Sequence, residues 1–402
     1  MLNNHPILVV MMGALLAPLL TEVPIGVRVP VVVVEVLFGI LVGPQVIRLV
    51  DPRGLGGLLF SMQIMGAAAV LFMAGMEVDF NRIRGRPLSL GLLSWFASVV
   101  LAFAAVALFH VVPGVHAPLM VTIALTTTSL GALIPLLRDG GQLDAPFGRM
   151  LLADGTIGEV GPIVAVSLVL SSRYTTWQEF SLLIAFLALV GVATALGIGA
   201  RPPRVLALLS RTMHTSTQLP VRVALFVLAG FVTVASTFGF EGILGAFAAG
   251  MIVGLATRGE EGETFRAKID AVCFGFLTPF FFVGTGIEFD PGALTRETAT
   301  MLLTPGFLFL FLMIRGAPVI LFRNDLPKPE RLAFALSASV ASLALVVVIT
   351  DIGLLNKYMK PDIAEALVAA SLLSLLLYPT LAGILLSRNT PSANSFRVVS
   401  AR

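Results

Sequence analysis

The chain has 402 residues, of which 57% are hydrophobic and 12% charged, with a mean hydropathy of +0.97. A soluble domain carries about twice that share of charge, so a soluble enzyme is excluded, and a net charge of +3 argues against nucleic acid as a partner. Apolar runs of about 20 residues recur from end to end, which predicts an all-α polytopic membrane protein and excludes a β-barrel, whose strands alternate over about ten residues.

Taken in order, thirteen spans are predicted, at approximately 7–23, 29–49, 57–77, 89–109, 117–137, 150–171, 180–199, 221–238, 242–256, 269–287, 300–322, 332–350 and 363–386. The first has no basic segment before it and reads as a retained helix rather than a cleaved signal. Residues 221–256 contain a break at Phe238–Gly242 and are too long for one crossing. With the N-terminus outside, inward connections hold nineteen of the 26 basic residues and outward ones six; Arg315 lies within a span. This asymmetry places the C-terminus and a tail at 387–402 in the cytoplasm; the expected location of the chain is the inner (plasma) membrane. The single cysteine, Cys273, lies in an apolar run and permits no intrachain disulfide.

Three pairs of segments repeat at an offset of about 210 residues. Phe72–Phe80 (FMAGMEVDF) resembles Phe282–Asp290 (FVGTGIEFD), and Glu35–Gly43 (EVLFGILVG) resembles Ala246–Gly254 (AFAAGMIVG). The third, weaker pair sets Ser129-Leu130 and Arg138-Asp139 against Ser342-Leu343 and Thr350-Asp351. The offset contains seven spans, so the copies have opposite orientation, which is the signature of a secondary transporter with its site between the halves.

Charges inside spans mark function by default. Glu159 lies ten residues after Arg149, about 15 Å into a hydrocarbon core of roughly 30 Å. A carboxylate there costs about 2.5–3.5 kcal/mol on insertion scales. Asp154, five residues earlier, points about 140° away and shares a face with Gly158. Pro162 frees the carbonyl of Gly158, which either ligates a small cation beside the carboxylate or marks a packing kink. Arg315 either snorkels to the inner surface or pairs with a buried carboxylate, Glu159 or Asp154. Gly316 and Pro318 then bend its helix. Hydroxyls at Thr126, Thr127, Thr128 and Ser129, and at Ser337, Ser339 and Ser342, bond across helices or mark broken helices facing a cavity. Glu35 is a further acid inside a span. Glu77, Asp79, Glu288 and Asp290 read as solvated boundary residues, and His110 and His116 as surface residues of an external loop. No cofactor and no resident metal site is indicated.

Five segments, in this order, resemble the bacterial cation:proton antiporters of the sodium/proton and potassium/proton exchanger superfamily. They are EVLFGILVGPQ (Glu35–Gln45), LFMAGMEVDF (Leu71–Phe80), TTTSLGALIPLLRDGGQLDAPFGRMLLADGTIGE (Thr126–Glu159), LGAFAAGMIVG (Leu244–Gly254) and PFFFVGTGIEFD (Pro279–Asp290). The resemblance implies an inverted-repeat fold of about 13 helices with two crossed discontinuous helices. It implies dimerisation or scaffold helices at approximately 7–80 and 221–290, core helices at approximately 88–171 and 299–386, and a linking helix at 180–199. It implies a homodimer without the C-terminal nucleotide-binding regulatory domain of some potassium exchangers. The family's acid pair, or amide and acid, falls on Gly158 and Glu159. Glu159 is then the group that binds H⁺ and Na⁺ or K⁺ in turn, by alternating access. The first acid is replaced by Gly158, which leaves Arg315 to find another partner and leans toward electroneutral exchange. Thr127, Thr128, Ser129, Gly158, Ser339 and Ser342 are candidates for coordinating the cation or for the helix breaks. The same fold also suits an organic anion carried with sodium or protons, held by Arg315. A membrane-embedded enzyme lacks any His/Asp, Cys/His or metal-ligand cluster, and a non-transporting sensor remains the reading in which Gly158 has disabled the site.

Overall fold

A computed structural model describes residues 6–22, 29–50, 56–79, 83–109, 118–139, 141–170, 215–257, 260–295 and 301–389, with isolated positions between 181 and 212. Every regular element among the described residues is helical. Among the described residues, eight helices are long and apolar enough to cross a membrane, and four shorter apolar helices accompany them. Most of the predicted linking span 180–199, together with His110, His116 and residues 390–402, lies outside the described residues. The last helix, Pro361–Asn389, runs three residues into the segment predicted as a tail.

The chain divides into two compact units. The first comprises residues 1–24, 31–79 and 163–291. It contains helices α1 (Pro6–Thr21), α2 (Val31–Val42) and α3 (Gly56–Glu77). The second comprises residues 25–30, 80–162 and 292–402 and holds α4 (Arg86–Phe109), α5 (Pro118–Leu125) and α6 (Leu130–Asp139). Helix α7 (Pro146–Leu170) belongs to the second unit as far as Pro162. The first unit continues with α8 (Leu219–Thr237), α9 (Gly242–Ala256), α10 (Glu260–Val272) and α11 (Thr278–Glu288). The break at Phe238–Gly242 therefore separates two helices. A π turn, Cys273–Leu277, joins α10 to α11 without a gap, so this helix starts nine residues before the predicted span. Its added stretch is polar (EEGETFRAK), as suits a helix that leaves the hydrocarbon.

Predicted span 29–49 yields only the 12-residue α2, because Pro44 lacks an N–H and the chain folds back after Gly43. The amides of Leu49 and Val50 both donate to Val42 O, and Arg48 takes a left-handed φ of 59°. Glycines let backbones touch in this unit. Gly39 of α2 lies against Gly286 and the Val283 carbonyl of α11, and Gly75 of α3 against Gly250 and the Phe247 carbonyl of α9; a Cβ at any of these four glycines would collide with backbone. Small residues at such contacts drive helix association where the hydrophobic effect cannot.

The second unit resumes at Gly292, within the five-residue helix α12 (Pro291–Thr295), and continues with α13 (Leu303–Gly316), a 3₁₀ segment (Ala317–Phe322), α14 (Lys328–Ala338), α15 (Leu343–Leu355) and α16 (Pro361–Asn389). Predicted spans 117–137 and 332–350 are each broken near the middle, giving the pairs α5/α6 and α14/α15. The long helix α16 braces both halves. Its Tyr378 hydroxyl donates to Leu308 O (2.6 Å), and its Ser374 hydroxyl accepts from Ala341 N (3.1 Å) inside the second break. At the start of α4, Arg86 makes a bidentate pair with Asp325 at 2.7 and 3.0 Å, fixing the turn after the 3₁₀ segment.

Candidate functional site

Two prolines prepare the site. Pro162 cannot donate to Gly158 O, and Pro318 cannot donate to Ile314 O, since each lacks the N–H four residues on. Neither carbonyl is left bare. Thr128 N donates to Gly158 O at 2.9 Å, and the Ser98 hydroxyl lies 2.9 Å from Ile314 O. Each freed carbonyl directly precedes a charged residue, Glu159 or Arg315, so the helix defects anchor the backbone where the charges sit.

The two helix breaks are bonded to one another. Ser129 N donates to Val340 O at 2.8 Å, and the Thr128 hydroxyl donates to Ala338 O at 2.7 Å. This is a crossing of two discontinuous helices. It brings the C-terminal ends of α5 and α14 and the N-terminal ends of α6 and α15 to one place, with negative and positive partial charge respectively. Three of the other hydroxyls, those of Thr126, Thr127 and Ser339, serve their own backbone, whereas Ser337 Oγ is buried with no hydrogen-bond partner among the described residues and Ser342 makes no side-chain capping bond. Thr126 and Thr127 bond Ile123 O and Ala124 O at 2.8 Å, Ser339 bonds Ala335 O at 2.7 Å, and Ser342 stands at the N-cap of α15.

Arg315 is 1% exposed and does not snorkel. Its Nε donates to Thr128 Oγ1 (2.7 Å), one terminal nitrogen to Ser98 Oγ (3.2 Å), and the other to Asp154 O (3.2 Å) and Asp154 Oδ2 (2.6 Å). One guanidinium thus ties α13 to α4, α7 and the first helix break, and its carboxylate partner is Asp154, itself fully buried. The choice between Asp154 and Glu159 for that ion pair is thereby made, and it follows from Gly158. A Cβ on Gly158 would lie 2.7 Å from the Arg315 guanidinium and 2.8 Å from Thr128 Cβ. The guanidinium occupies the space a side chain would need there, one helical turn from Asp154 on the same face. Gly158→Ala is therefore expected to displace Arg315 and to cost about 1–3 kcal/mol, read as a lowered melting temperature of the purified protein.

Glu159 is 4% exposed, so it is covered by protein rather than facing lipid. It lies about 140° around α7 from Asp154. The two acids therefore belong to different surroundings, one locked onto Arg315 and the other beyond it.

Ser94, Ser98 and Trp95 on α4 escaped the sequence reading. Ser94 and Ser98 are buried, and Ser94 faces the Asp154 carboxylate. The Trp95 ring fills the space next to Gly161. The available signal was the spacing of four between two serines in an otherwise apolar span, which puts both on one face. Among the described residues no group of three or more His, Cys, Asp and Glu could hold a resident metal ion.

A family model described as "Sodium/hydrogen exchanger, transmembrane" matches residues 10–388. The putative Na⁺/H⁺ antiporter YjbQ of Bacillus subtilis is 24% identical over 388 residues, covering 93% of this chain and 61% of that protein. The glutathione-regulated potassium-efflux system protein KefC of Shigella sonnei is 26% identical over 378 residues, covering 90% of this chain and 58% of that one. The chain thus spans about three-fifths of the length of these relatives. The sodium proton antiporter MjNhaP1 of Methanocaldococcus jannaschii shares the fold, with a TM-score of 0.66 over 96% of this chain and 99% of that chain, at 16% identity.

Proposed function

The chain belongs to the sodium/hydrogen exchanger family, a family of multi-pass membrane transporters, and on that premise we propose that it exchanges H⁺ for a monovalent cation, Na⁺ or K⁺, with Glu159 binding each in turn. The observation that carries this reading is the completeness of the Asp154–Arg315 pair. Its opposite charges cancel inside the second unit, held by four hydrogen bonds from the guanidinium. With Asp154 committed to Arg315, the exchange of proton and cation is assigned to Glu159, the other buried acid of α7. One proton traded for one monovalent cation moves no net charge, so exchange is electroneutral. The competing cargo, an organic anion, would need Arg315 as its counter-charge, and Asp154 already occupies it.

The second unit is the moving core of this reading and the first its scaffold and dimerisation surface, in a plasma membrane with the N-terminus outside. Alternating access follows if the core carries Glu159 between the two faces. Pseudo-symmetry supports an inverted repeat. Gly39 and Gly250 are separated by the same 211 positions as Gly75 and Gly286, and the contacts Gly39–Gly286 and Gly75–Gly250 exchange under that shift. Ser129 and Val340, bonded to each other at the crossing, are also 211 apart.

The test is proton flux in proteoliposomes across lithium, sodium, potassium and rubidium gradients, with and without an imposed membrane potential. Flux driven by Na⁺ or K⁺ at a rate indifferent to the potential is expected. No flux with any of these ions would sink the exchanger, and flux driven by potential alone would overturn the one-for-one stoichiometry.

A further inference from the structure

Glu35 takes no part in the exchange just described. It is 3% exposed on α2, and its Oε2 is buried with no hydrogen-bond partner among the described residues. It is the one charged residue of α2, and α1, packed beside it, has none. Helix α11, packed on the other side, contributes only Glu288 at its far end, where Gln63 of α3 donates to it at 3.2 Å. The one acid of α3 is Glu77 at its last position, and the π turn before α11 adds only the buried thiol of Cys273. No cation is supplied by any of these elements. A bare carboxylate at this place is a buried charge without compensation, which membrane interiors do not tolerate cheaply.

The position of Glu35 links its proton to packing. It lies one turn before Gly39 and on the same face. Gly39 is the residue at which α2 and α11 touch backbone to backbone, with no space for even a Cβ. Water or a cation can compensate an ionised Glu35 only if α2 loosens from α11 there.

We propose that Glu35 is a second proton-binding site, in the unit that does not hold Glu159, and that proton release from it is coupled to loosening of α2 from α11. Proton uptake seats α2 and release unseats it, so rising pH favours the looser arrangement. This gives the protein a pH dependence separate from competition between proton and cation at Glu159, and the proposal stands whether or not Glu159 is the exchange site.

Hydrogen–deuterium exchange of residues 31–42 across a pH series tests it, on wild type, Glu35→Gln and Glu159→Gln, alongside infrared detection of protonated carboxyl groups. Beyond the intrinsic chemical rate, exchange in wild type and Glu159→Gln is expected to rise with pH in step with loss of a carboxyl band. In Glu35→Gln both the band and the excess pH dependence should be absent, because the amide cannot ionise. Should that variant fail to fold, Glu35→Asp keeps a titratable group with a shorter reach and a different intrinsic affinity for the proton, and the midpoint of the exchange transition should move. Wild-type pH dependence of 31–42 in Glu35→Gln, or an unmoved midpoint in Glu35→Asp, overturns the proposal.

Discussion

Glu159→Gln is expected to reduce cation-driven proton flux to the rate of protein-free liposomes, with the protein still folded. Gln has nearly the shape of Glu but can neither release a proton in this range nor offer a negative charge to a cation, so both halves of the exchange are lost together. Folding should survive, since Glu159 lies apart from the ion pair that ties the second unit together and an uncharged amide is cheaper to bury than a carboxylate. The measurement is flux together with the melting temperature of the same preparation. Full loss of flux at an undiminished melting temperature is the expected outcome. Retained flux would move the exchanging group elsewhere, first to Asp154, and would mean that Arg315 releases Asp154 during transport.

Much of this arrangement was legible in the chain because membrane interiors leave few explanations for a charge. Glu159, Asp154 and Arg315 stood out for that reason alone. The hydroxyl runs at Thr126–Ser129 and Ser337–Ser342 marked where helices break, and the breaks fall there, between Leu125 and Leu130 and between Ala338 and Leu343. The partners were less legible. Pairing Arg315 with Asp154 depends on which face of α7 meets α13, and sequence spacing along one helix says nothing about the angle at which another helix crosses it. The uses of the freed carbonyls were hidden for the same reason. Pro162 predicted a bare Gly158 carbonyl, and whether a cation or Thr128 N–H would take it could be decided only across the crossing. Ser98 gave the weakest signal of all, since a serine inside an apolar helix most often bonds its own preceding turn. Its hydroxyl is within reach of Ser94 O, as that rule expects, but also of Ile314 O, and it accepts from Arg315 besides.

Arg315→Ala is expected to be the most destabilising substitution in the second unit. Removing one partner of a buried ion pair costs about 3–5 kcal/mol, because the other charge stays buried and uncompensated. Asp154 would be left in that condition, and the lone pairs of Thr128 Oγ1 and Ser98 Oγ would lose their donors. The loss is more than local, since the guanidinium is the atom group shared by α4, α7, α13 and the first helix break. Arg315→Lys should fall between wild type and Ala. A lysine ammonium restores the charge beside Asp154 but lacks the planar fork that reaches Thr128 and Ser98 at the same time. A double-mutant cycle separates ion pairing from simple loss of packing. If the charge left on Asp154 is the main cost, Asp154→Asn combined with Arg315→Ala should be more stable than Arg315→Ala alone, a strongly non-additive result of the kind contacting residues give. Equal stability of Arg315→Ala and wild type would mean that water reaches the pair and screens it. The pair would then no longer be a fixed neutral unit, and the one-for-one exchange argued from it would lose its support.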